Sequence, residues 1–334
     1  MTPRHTARAK TFLLVVLLCA CCAGSQAEEA GWHWRKHAEP VIRPGDGGLP
    51  GENTVRAPCV VDLGNGTYRI YFGAGNLGDS NRGGICAAEA PIDNPTRWQV
   101  RPEGALVEVD TSGAFPYVVR VQENEWRMYI GANLYLSEDG LNWERYADNP
   151  IVEQGESEDH VASCCVLKVG PRWHMYYTRV LLDDSLPGGR RISVGLATSE
   201  DGIHFVKHPD NPLLDPRGAG VHGEDYENIN SKPYVLPGAG CYHLWYSEHC
   251  VQRPYRIRYA RSSDGLHWER WAGLEGIDVS PAGWDSQMIE YAFVLPHGDG
   301  YRMWYTGNQY GHNGEGPSGI GYAEAAAPQP PDAD

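Results

Sequence analysis

Ser137-Glu138-Asp139-Gly140-Leu141-Asn142-Trp143-Glu144 is the stretch that decides the fold, because the chain repeats its pattern twice more. The repeats read Ser199-Glu200-Asp201-Gly202-Ile203-His204-Phe205 and Ser263-Asp264-Gly265-Leu266-His267-Trp268-Glu269. The three aspartates are spaced 62 and 63 residues apart. A fixed period of this length is typical of repeated supersecondary units. The sequence therefore predicts a chain of similar units.

Each copy of the motif predicts a strand, a tight turn and a second strand. Glycine in the turn takes a positive φ without steric cost, and the aspartate side chain bonds to the backbone that follows it. The aromatic residue after the turn begins the next strand and packs. We therefore interpret the motif as architectural.

The first two strands of each unit recur at a nearly constant offset. The first strands are anchored at Pro58, Pro116, Cys164, Pro233 and Ala292, and the second at Phe72, Ile130, Tyr177, Tyr246 and Tyr305. The offsets between paired anchors are 14, 14, 13, 13 and 13 residues. Short Gly-rich turns such as 64–66 and 298–300 lie between the two strands, so the pattern predicts five hairpins.

The fifth unit stops after its third strand, and the chain starts with a segment that resembles the end of a unit, Trp34–Arg43. This segment would supply the missing strand. Five four-stranded antiparallel sheets closed in this way predict an all-β fold, a five-bladed β-propeller. We expect one propeller domain over 32–325 and a disordered, proline-rich tail over 326–334.

Composition narrows the choice of partners. The net charge of −15 argues against nucleic acid or an anionic membrane surface as a partner. The 19 Tyr and 11 Trp suit strands and carbohydrate-facing surfaces, so a carbohydrate ligand is favoured.

The N-terminus predicts export. Three basic residues precede an apolar run over 12–18, which is too short to span a bilayer. Leu18-Cys19-Ala20-Cys21 resembles a bacterial lipoprotein signal with Cys21 lipidated, whereas cleavage after Ala27 would release a secreted protein. We expect a signal peptide over 1–27 and either a cell-surface or periplasmic lipoprotein or a secreted protein. Membrane contact would occur only through the lipid anchor.

Six cysteines follow the predicted signal: Cys59, Cys86, Cys164, Cys165, Cys241 and Cys250. An oxidising compartment permits disulfides. Cys241 and Cys250 flank one predicted strand and are too far apart to bond each other. No Cys/His spacing typical of zinc is present, so we predict no metal site.

The two faces of the predicted propeller differ. One carries short repetitive turns, and the other carries long, unequal connections. Binding and catalytic residues are commonly found on variable loops held by a rigid scaffold, so we place the candidate site on the second face. Near the axis on this face, charged residues replace small ones at four repeat positions: Arg56, Arg179, Glu248 and Glu290. Such charges are costly unless paired or used, which leaves two alternatives, an ion pair closing the channel or a functional site.

With these features, the chain resembles the five-bladed propeller glycoside hydrolases. These are the arabinanases and xylosidases of family 43, the invertase-like family 32 and the mannan-phosphorylase-like family 130. Three motifs carry the resemblance over nearly all of the mature chain: Ser-x-Asp-Gly-x-x-Trp, Asn-Pro-Ile/Leu and Met-Trp-Tyr-Thr-Gly. These motifs are architectural, so the resemblance implies the fold more than an activity.

The resemblance also implies a general acid. In the family 43 pattern a Glu lies two positions before the first-strand anchor, and Ile289-Glu290-Tyr291-Ala292 fits that slot. The base of that pattern is an Asp directly before the first-blade proline. Here the segment is Arg56-Ala57-Pro58, which has no carboxylate.

A glycosidase needs two carboxylates across the sugar, one protonated and one ionised. Glu290 is the candidate acid. Asp159, Glu227 and Asp285 lie shortly upstream of first-strand anchors and are the candidate bases or modulators. The alternative for these three is a loop carboxylate that caps a turn.

The candidate substrate-binding residues are the charged exceptions together with nearby His and aromatic residues: Arg56, Arg179, Glu248, His160, His222, Trp284 and Tyr291. The His and aromatic side chains are suited to stacking on sugars or bonding their hydroxyls, with packing as the alternative. No cofactor is predicted. A structural cation such as calcium is the alternative for His222-Gly223-Glu224-Asp225, although its spacing matches no specific metal loop.

The leading hypothesis is a glycoside hydrolase that acts on a poly- or oligosaccharide through a carboxylate pair in the central funnel. The alternative is a non-catalytic glycan-binding propeller, because the first-blade Asp is missing. A third hypothesis is a sialidase-like protein, since the repeated motif is similar to the Asp-box of sialidases, although it is one residue shorter before the Trp and the chain has five units rather than six.

Overall fold

The computed structural model describes residues 32–50, 54–75, 83–109, 114–154, 158–223, 225–238, 240–271, 277–308 and 318–326. Within these ranges the side chains of Glu158, Asp159 and His222 are not described. The predicted signal peptide with Cys21, and all of the predicted tail beyond Ala326, lie outside the described residues.

The described chain is built from antiparallel strands in five successive blades. Blade 1 contains β2 (Thr54–Asp62), β3 (Thr67–Gly75), β4 (Gly83–Pro91) and β5 (Gln99–Val100), with β6 (Val107–Glu108) added beside β4. Blade 2 contains β7 (Pro116–Gln122), β8 (Glu125–Ile130), β9 (Asn133–Ser137) and β10 (Glu144–Arg145).

The next two blades are similar in order. Blade 3 contains β11 (Glu158–Val169), β12 (Arg172–Leu182), β13 (Arg190–Ser199) and β14 (Val206–Lys207). Blade 4 contains β16 (Asp225–Pro237), β17 (Tyr242–Cys250), β18 (Arg253–Ser262) and β19 (Glu269–Arg270), with β15 (Gly218–His222) beside β16. A parallel pairing of Ile192 with Ile229 joins these blades.

Blade 5 closes the ring. Its strands are β20 (Met288–His297), β21 (Gly300–Asn308) and β22 (Ser318–Ala326), and its fourth is β1 (Arg35–Lys36) from the start of the chain. Arg35 pairs with Glu324 and Lys36 with Ala323. The all-β, five-bladed propeller with an N-terminal closing strand is therefore confirmed.

The repeated Ser-x-Asp-Gly motif forms the turn that its residues predict. Asp139 Oδ1 accepts the N–H groups of Leu141 and Asn142, each at 2.8 Å, and Gly140 takes φ 72°. The tertiary structure adds a second role, because Tyr71 OH of blade 1 donates to Gly140 O at 2.8 Å. Tyr129 makes the same bond to Gly202, and Tyr176 to Gly265. The turns therefore tie neighbouring blades together.

The core fills the spaces between blades with large aromatic and aliphatic side chains. Trp245, Trp304 and Tyr71 are fully buried. At the axis, Tyr234 of blade 4 contacts Phe293 of blade 5 with ring centroids 4.5 Å apart. Cys250 is a free thiol, in agreement with its predicted separation from Cys241. The packed axis leaves the blade ends to form a site.

The helices in the described ranges are two three-residue 3-10 turns, Asp46–Gly48 and Pro187–Gly189. No described helix has the length and apolar character needed to cross a membrane.

Candidate functional site

A strained backbone position, Tyr291, directly follows Glu290 in β20. The pairing of β20 with β21 shifts register between Glu290 and Phe293, and Tyr291 takes φ 58°, a left-handed value that is uncommon for an aromatic residue. The Tyr291 N–H donates to Ser247 Oγ of blade 4 at 2.8 Å. This bond compensates for a conformation that costs on the order of 1–3 kcal/mol.

The same device recurs at equivalent positions of two other blades. Ala57 (φ 55°) donates its N–H to Thr306 Oγ1 at 2.9 Å, and Lys232 (φ 46°) donates to Thr178 Oγ1 at 2.8 Å. In each case the hydroxyl comes from the second strand of the preceding blade. The residue directly before the strained one is Arg56 in blade 1 and Glu290 in blade 5, so the device lies beside two of the four charged residues that the sequence singled out.

Glu290 is a buried carboxylic acid with an unused hydrogen-bonding atom. Glu290 is 4% exposed, and its Oε2 atom has no hydrogen-bond partner among the described residues. Burial raises the pKa of Glu290 to about 7, although the positive charge of Arg56 and a hydrogen bond with Tyr291 act in the opposite direction. The group therefore keeps its proton below about pH 7, as a general acid requires.

Aromatic rings surround this acid. The Arg56 guanidinium lies over the Phe115 ring at 4.9 Å, and Phe115 meets Tyr291 edge-on at 5.3 Å. Tyr255 lies 6.2 Å from Tyr291. Such flat surfaces suit the faces of sugar rings, and the guanidinium and phenol groups suit their hydroxyls.

The cluster continues into blade 4 through polar side chains. His249 packs against Tyr255 at 4.8 Å, and its Nδ1–H donates to Asn228 Oδ1 at 2.9 Å. This bond fixes the orientation of the imidazole. We refer to Arg56, Phe115, Asn228, His249, Tyr255, Glu290 and Tyr291 as the Glu290 cluster.

Glu227 and Glu248 are bound by arginines. Arg217 bridges them, with Nε donating to Glu227 Oε2 at 2.7 Å and Nη2 to Glu248 Oε2 at 2.9 Å. Arg270 donates to Glu227 Oε1 at 3.0 Å. Glu248 Oε1 also accepts from Arg253 at 2.7 Å and from Arg258 at 3.1 Å. Both carboxylates are fully buried in this network, which suits a structural role.

Asp285 and Trp284 help to close the ring. Asp285 Oδ2 accepts from Lys36 Nζ at 2.7 Å and from Tyr305 OH at 2.9 Å, so it ties the N-terminal strand to blade 5. Trp284 stacks on Tyr305 at 5.9 Å and donates to Ala38 O at 3.2 Å. The side-chain hydrogen bonds of Asp285 and Trp284 among the described residues therefore join the N-terminal segment to blade 5.

The remaining candidates lie on blades 3 and 4. Asp159 and His160 lie in β11, where His160 is exposed and pairs with Val180. Arg179 lies in β12 opposite Val161 and Ser193. His222 ends β15. Of the sequence candidates, Arg56, Glu290 and Tyr291 are brought together: Glu290 and Tyr291 share a hydrogen bond, and the charge of Arg56 acts on both.

Four members of the cluster were missed by sequence reasoning: Phe115, Asn228, His249 and Tyr255. Phe115 had a detectable signal, because it occupies the same repeat position as Tyr291. The other three carry no repeat signal, and only the packing of blade 4 against blade 5 reveals them.

Sequence comparison gives a curated relative. The uncharacterized protein Rv1502 of Mycobacterium tuberculosis (strain ATCC 25618 / H37Rv) is 30% identical over 286 residues, which cover 84% of this chain and 75% of that protein. The chain belongs to the Rv1502 family. No family model matches the chain.

Structure comparison shows that this Rv1502 family member shares its fold with solved structures that include glycoside hydrolases. A structure described as a BT0996 complex with RGII has a TM-score of 0.65 and 14% identity, covering 92% of this chain and 95% of the other. A thermostable family-43 glycoside hydrolase has a TM-score of 0.59 and 17% identity, covering 88% and 100%. A family 130 structure, from a study of hydrolases that target β-1,2 mannosidic linkages in Candida mannan, has a TM-score of 0.61 and 13% identity, covering 93% and 98%.

Proposed function

We propose that this protein is an exported glycoside hydrolase that acts on a poly- or oligosaccharide and uses Glu290 as its general acid. The observation that carries the proposal is the buried carboxyl of Glu290, which has a pKa of about 7 and an Oε2 atom without a partner among the described residues. An acid of this kind gives its proton to the glycosidic oxygen as the sugar–oxygen bond breaks, and water supplies the hydroxyl of the new reducing end.

The surroundings of Glu290 fit a sugar substrate. Phe115, Tyr255 and Tyr291 offer ring faces, while Arg56 offers charged donors. The family-43 glycoside hydrolase and the RGII complex among the structures with a similar fold support a carbohydrate ligand.

Asp159 is the candidate second carboxylate. Glu227 is bound by two arginines, and Asp285 is bound by Lys36 and Tyr305. A group that ionises inside such pairs is poorly placed to activate water, because its lone pairs are already used. Among the three candidates that the sequence offers, this leaves Asp159.

The second candidate function is a glycan-binding propeller without catalysis. This function is favoured because two of the three candidate bases, Glu227 and Asp285, form structural ion pairs. In that case the Glu290 cluster would bind a sugar without cleaving it.

Reducing-sugar release from a broad panel of poly- and oligosaccharides tests the proposal. We expect wild-type protein to release sugar, Glu290→Gln to lose at least about 100-fold in rate, and an exposed control, Glu269→Gln, to match wild type. Unchanged release by Glu290→Gln would overturn the assignment. Glycan binding without release by the wild type would favour the binding propeller.

A further inference from the structure

Two arginine-containing segments border the Glu290 cluster at the tyrosine pair formed by Tyr255 and Tyr291. On one side, Arg56 covers Phe115, which contacts Tyr291. On the other side, Tyr255 packs on His249, and His249 is bonded to Asn228. The loop that leads into β13 presses on this second side, because a Cβ on Gly188 would lie 2.8 Å from Asn228 Nδ2. Arg190 follows directly after the 3-10 turn that contains Gly188.

Arg190 differs from the arginines around it. Its side chain is exposed, and it has no hydrogen-bond or ion-pair partner among the described residues. The next residue, Arg191, forms a two-point contact with Asp215. On blade 4, Arg217, Arg253, Arg258 and Arg270 are all engaged by Glu227 or Glu248. Arg190 is therefore available to a ligand at the edge of the cluster.

Below about pH 7, the carboxyl group of Glu290 carries no negative charge that would offset the charges of Arg56 and Arg190. Glu290 is the acidic member of the cluster, and its raised pKa keeps it neutral in that range. Burial and then the charge of Glu290 raise the pKa of Tyr255, whereas the charges of Arg190 and Arg56 act in the opposite direction. The described part of the cluster is locally cationic, in a protein whose net charge is −15.

We infer that the sugar held in the Glu290 cluster carries a carboxylate, so that the substrate is a uronate-containing glycan recognised by Arg190 with Arg56. The inference rests on the proposed function of the same cluster. A guanidinium binds a carboxylate through two parallel charge-assisted hydrogen bonds, which are stronger than the bonds it forms with the neutral hydroxyls of a sugar. A protonated Glu290 also avoids the repulsion that an ionised acid would exert on an anionic sugar.

Matched pairs of oligosaccharides provide the test. Each carboxylated oligosaccharide is compared with its carboxyl-reduced counterpart, which has the same ring stereochemistry and linkage but a primary alcohol in place of the carboxylate. The proteins compared are wild type, Arg190→Ala, Arg190→Lys and Arg172→Ala. Arg172 is an exposed arginine at the hairpin turn of blade 3 and serves as the matched control.

We expect wild-type protein to bind at least one carboxylated member about tenfold more tightly than its reduced partner. Arg190→Ala should lower this ratio to near one, Arg190→Lys should restore part of it, and Arg172→Ala should leave it unchanged. Thermal unfolding of each variant confirms that the fold is retained.

The outcomes separate this inference from the proposed function. Equal binding of both members of every pair, or no binding of any carboxylated member, overturns the inference. An equal loss in Arg190→Ala and Arg172→Ala also overturns it. If the protein cleaves neutral glycans and this cleavage depends on Glu290, the hydrolase function is supported and the uronate specificity is overturned. If the protein binds uronates through Arg190 but does not cleave them, the uronate specificity is supported and the hydrolase function is overturned.

Discussion

The N–H of Tyr291 donates a 2.8 Å hydrogen bond to Ser247 Oγ across the boundary between blades 4 and 5. It holds Tyr291 at φ 58° and so directs the neighbouring Glu290. The orientation of the candidate acid therefore depends on a residue 43 positions earlier in the chain.

Ser247→Ala should weaken this arrangement. Removal of the hydroxyl leaves the buried Tyr291 N–H unsatisfied, which we expect to cost about 1–3 kcal/mol of folding free energy, measured by urea unfolding. Activity should fall as well, because the acid loses its fixed direction. Thr178→Ala removes the equivalent bond to Lys232 in another blade and should cost similar stability with a smaller loss of activity. Equal losses of activity in the two variants would contradict the prediction.

Activity should depend on the protonation of Glu290. Because burial raises its pKa from an ordinary value of 4.5 to about 7, the acid form persists at neutral pH and is lost above it. We therefore expect kcat/KM to decline as the pH rises through about 7. A pH–rate profile of the wild-type protein measures this. If kcat/KM instead declines with a midpoint near pH 4.5, the ordinary pKa of a glutamate, the buried environment assigned to Glu290 is contradicted.

Stability should depend on the same group. Between pH 4.5 and about 7 the folded protein keeps the Glu290 proton that the unfolded chain releases, so stability falls as the pH rises through this window. This difference between the pKa of Glu290 in the folded protein and in the unfolded chain corresponds to roughly 3 kcal/mol of folding free energy. Glu290→Gln should remove this part of the pH dependence. Urea unfolding of both proteins at about pH 5 and about pH 8 checks it. Identical pH dependence in the two proteins would count against the prediction.

The ion pair between Lys36 and Asp285 should stabilise the closure of the ring. Asp285 is 1% exposed, and its Oδ2 accepts from both Lys36 and Tyr305. Asp285→Asn leaves the Lys36 charge in a largely buried site, so we expect a loss near the lower end of about 3–5 kcal/mol.

The neighbouring pair of Arg35 with Glu324 provides the control for the closure. Its side chains are 84% and 39% exposed, so Arg35→Ala should cost about 0–1 kcal/mol. Thermal unfolding of both variants distinguishes the two pairs. If Asp285→Asn is as stable as wild type but inactive, the catalytic interpretation of Asp285 gains support over the structural one.

Local chemistry made the blades predictable from the sequence. The turn at Asp139 needs a glycine at positive φ and a side chain that bonds its own backbone, and both requirements are met by adjacent residues. The hairpins follow for the same reason. The repeat also identified Arg56 and Glu290 as exceptions at equivalent positions, which required only a comparison of blades.

Residues whose partners are distant in the chain were not predictable. Glu227 and Glu290 each lie shortly before or within the first strand of a blade, but Glu227 meets Arg217 and Arg270 whereas Glu290 meets aromatic rings. A carboxylate bound by two guanidinium groups is held as a structural ion, and one surrounded by rings keeps its proton. Sequence spacing cannot separate these two environments.

The sequence by itself determined the five blades, their antiparallel order and the use of the N-terminal strand to complete the last one, because these depend on contacts within single turns and hairpins. The tertiary structure alone decided which of the charged residues lie in ion pairs and which carboxyl group lies among aromatic rings. Burial and neighbouring charge set the pKa of a group, and both are created only when the blades pack against one another.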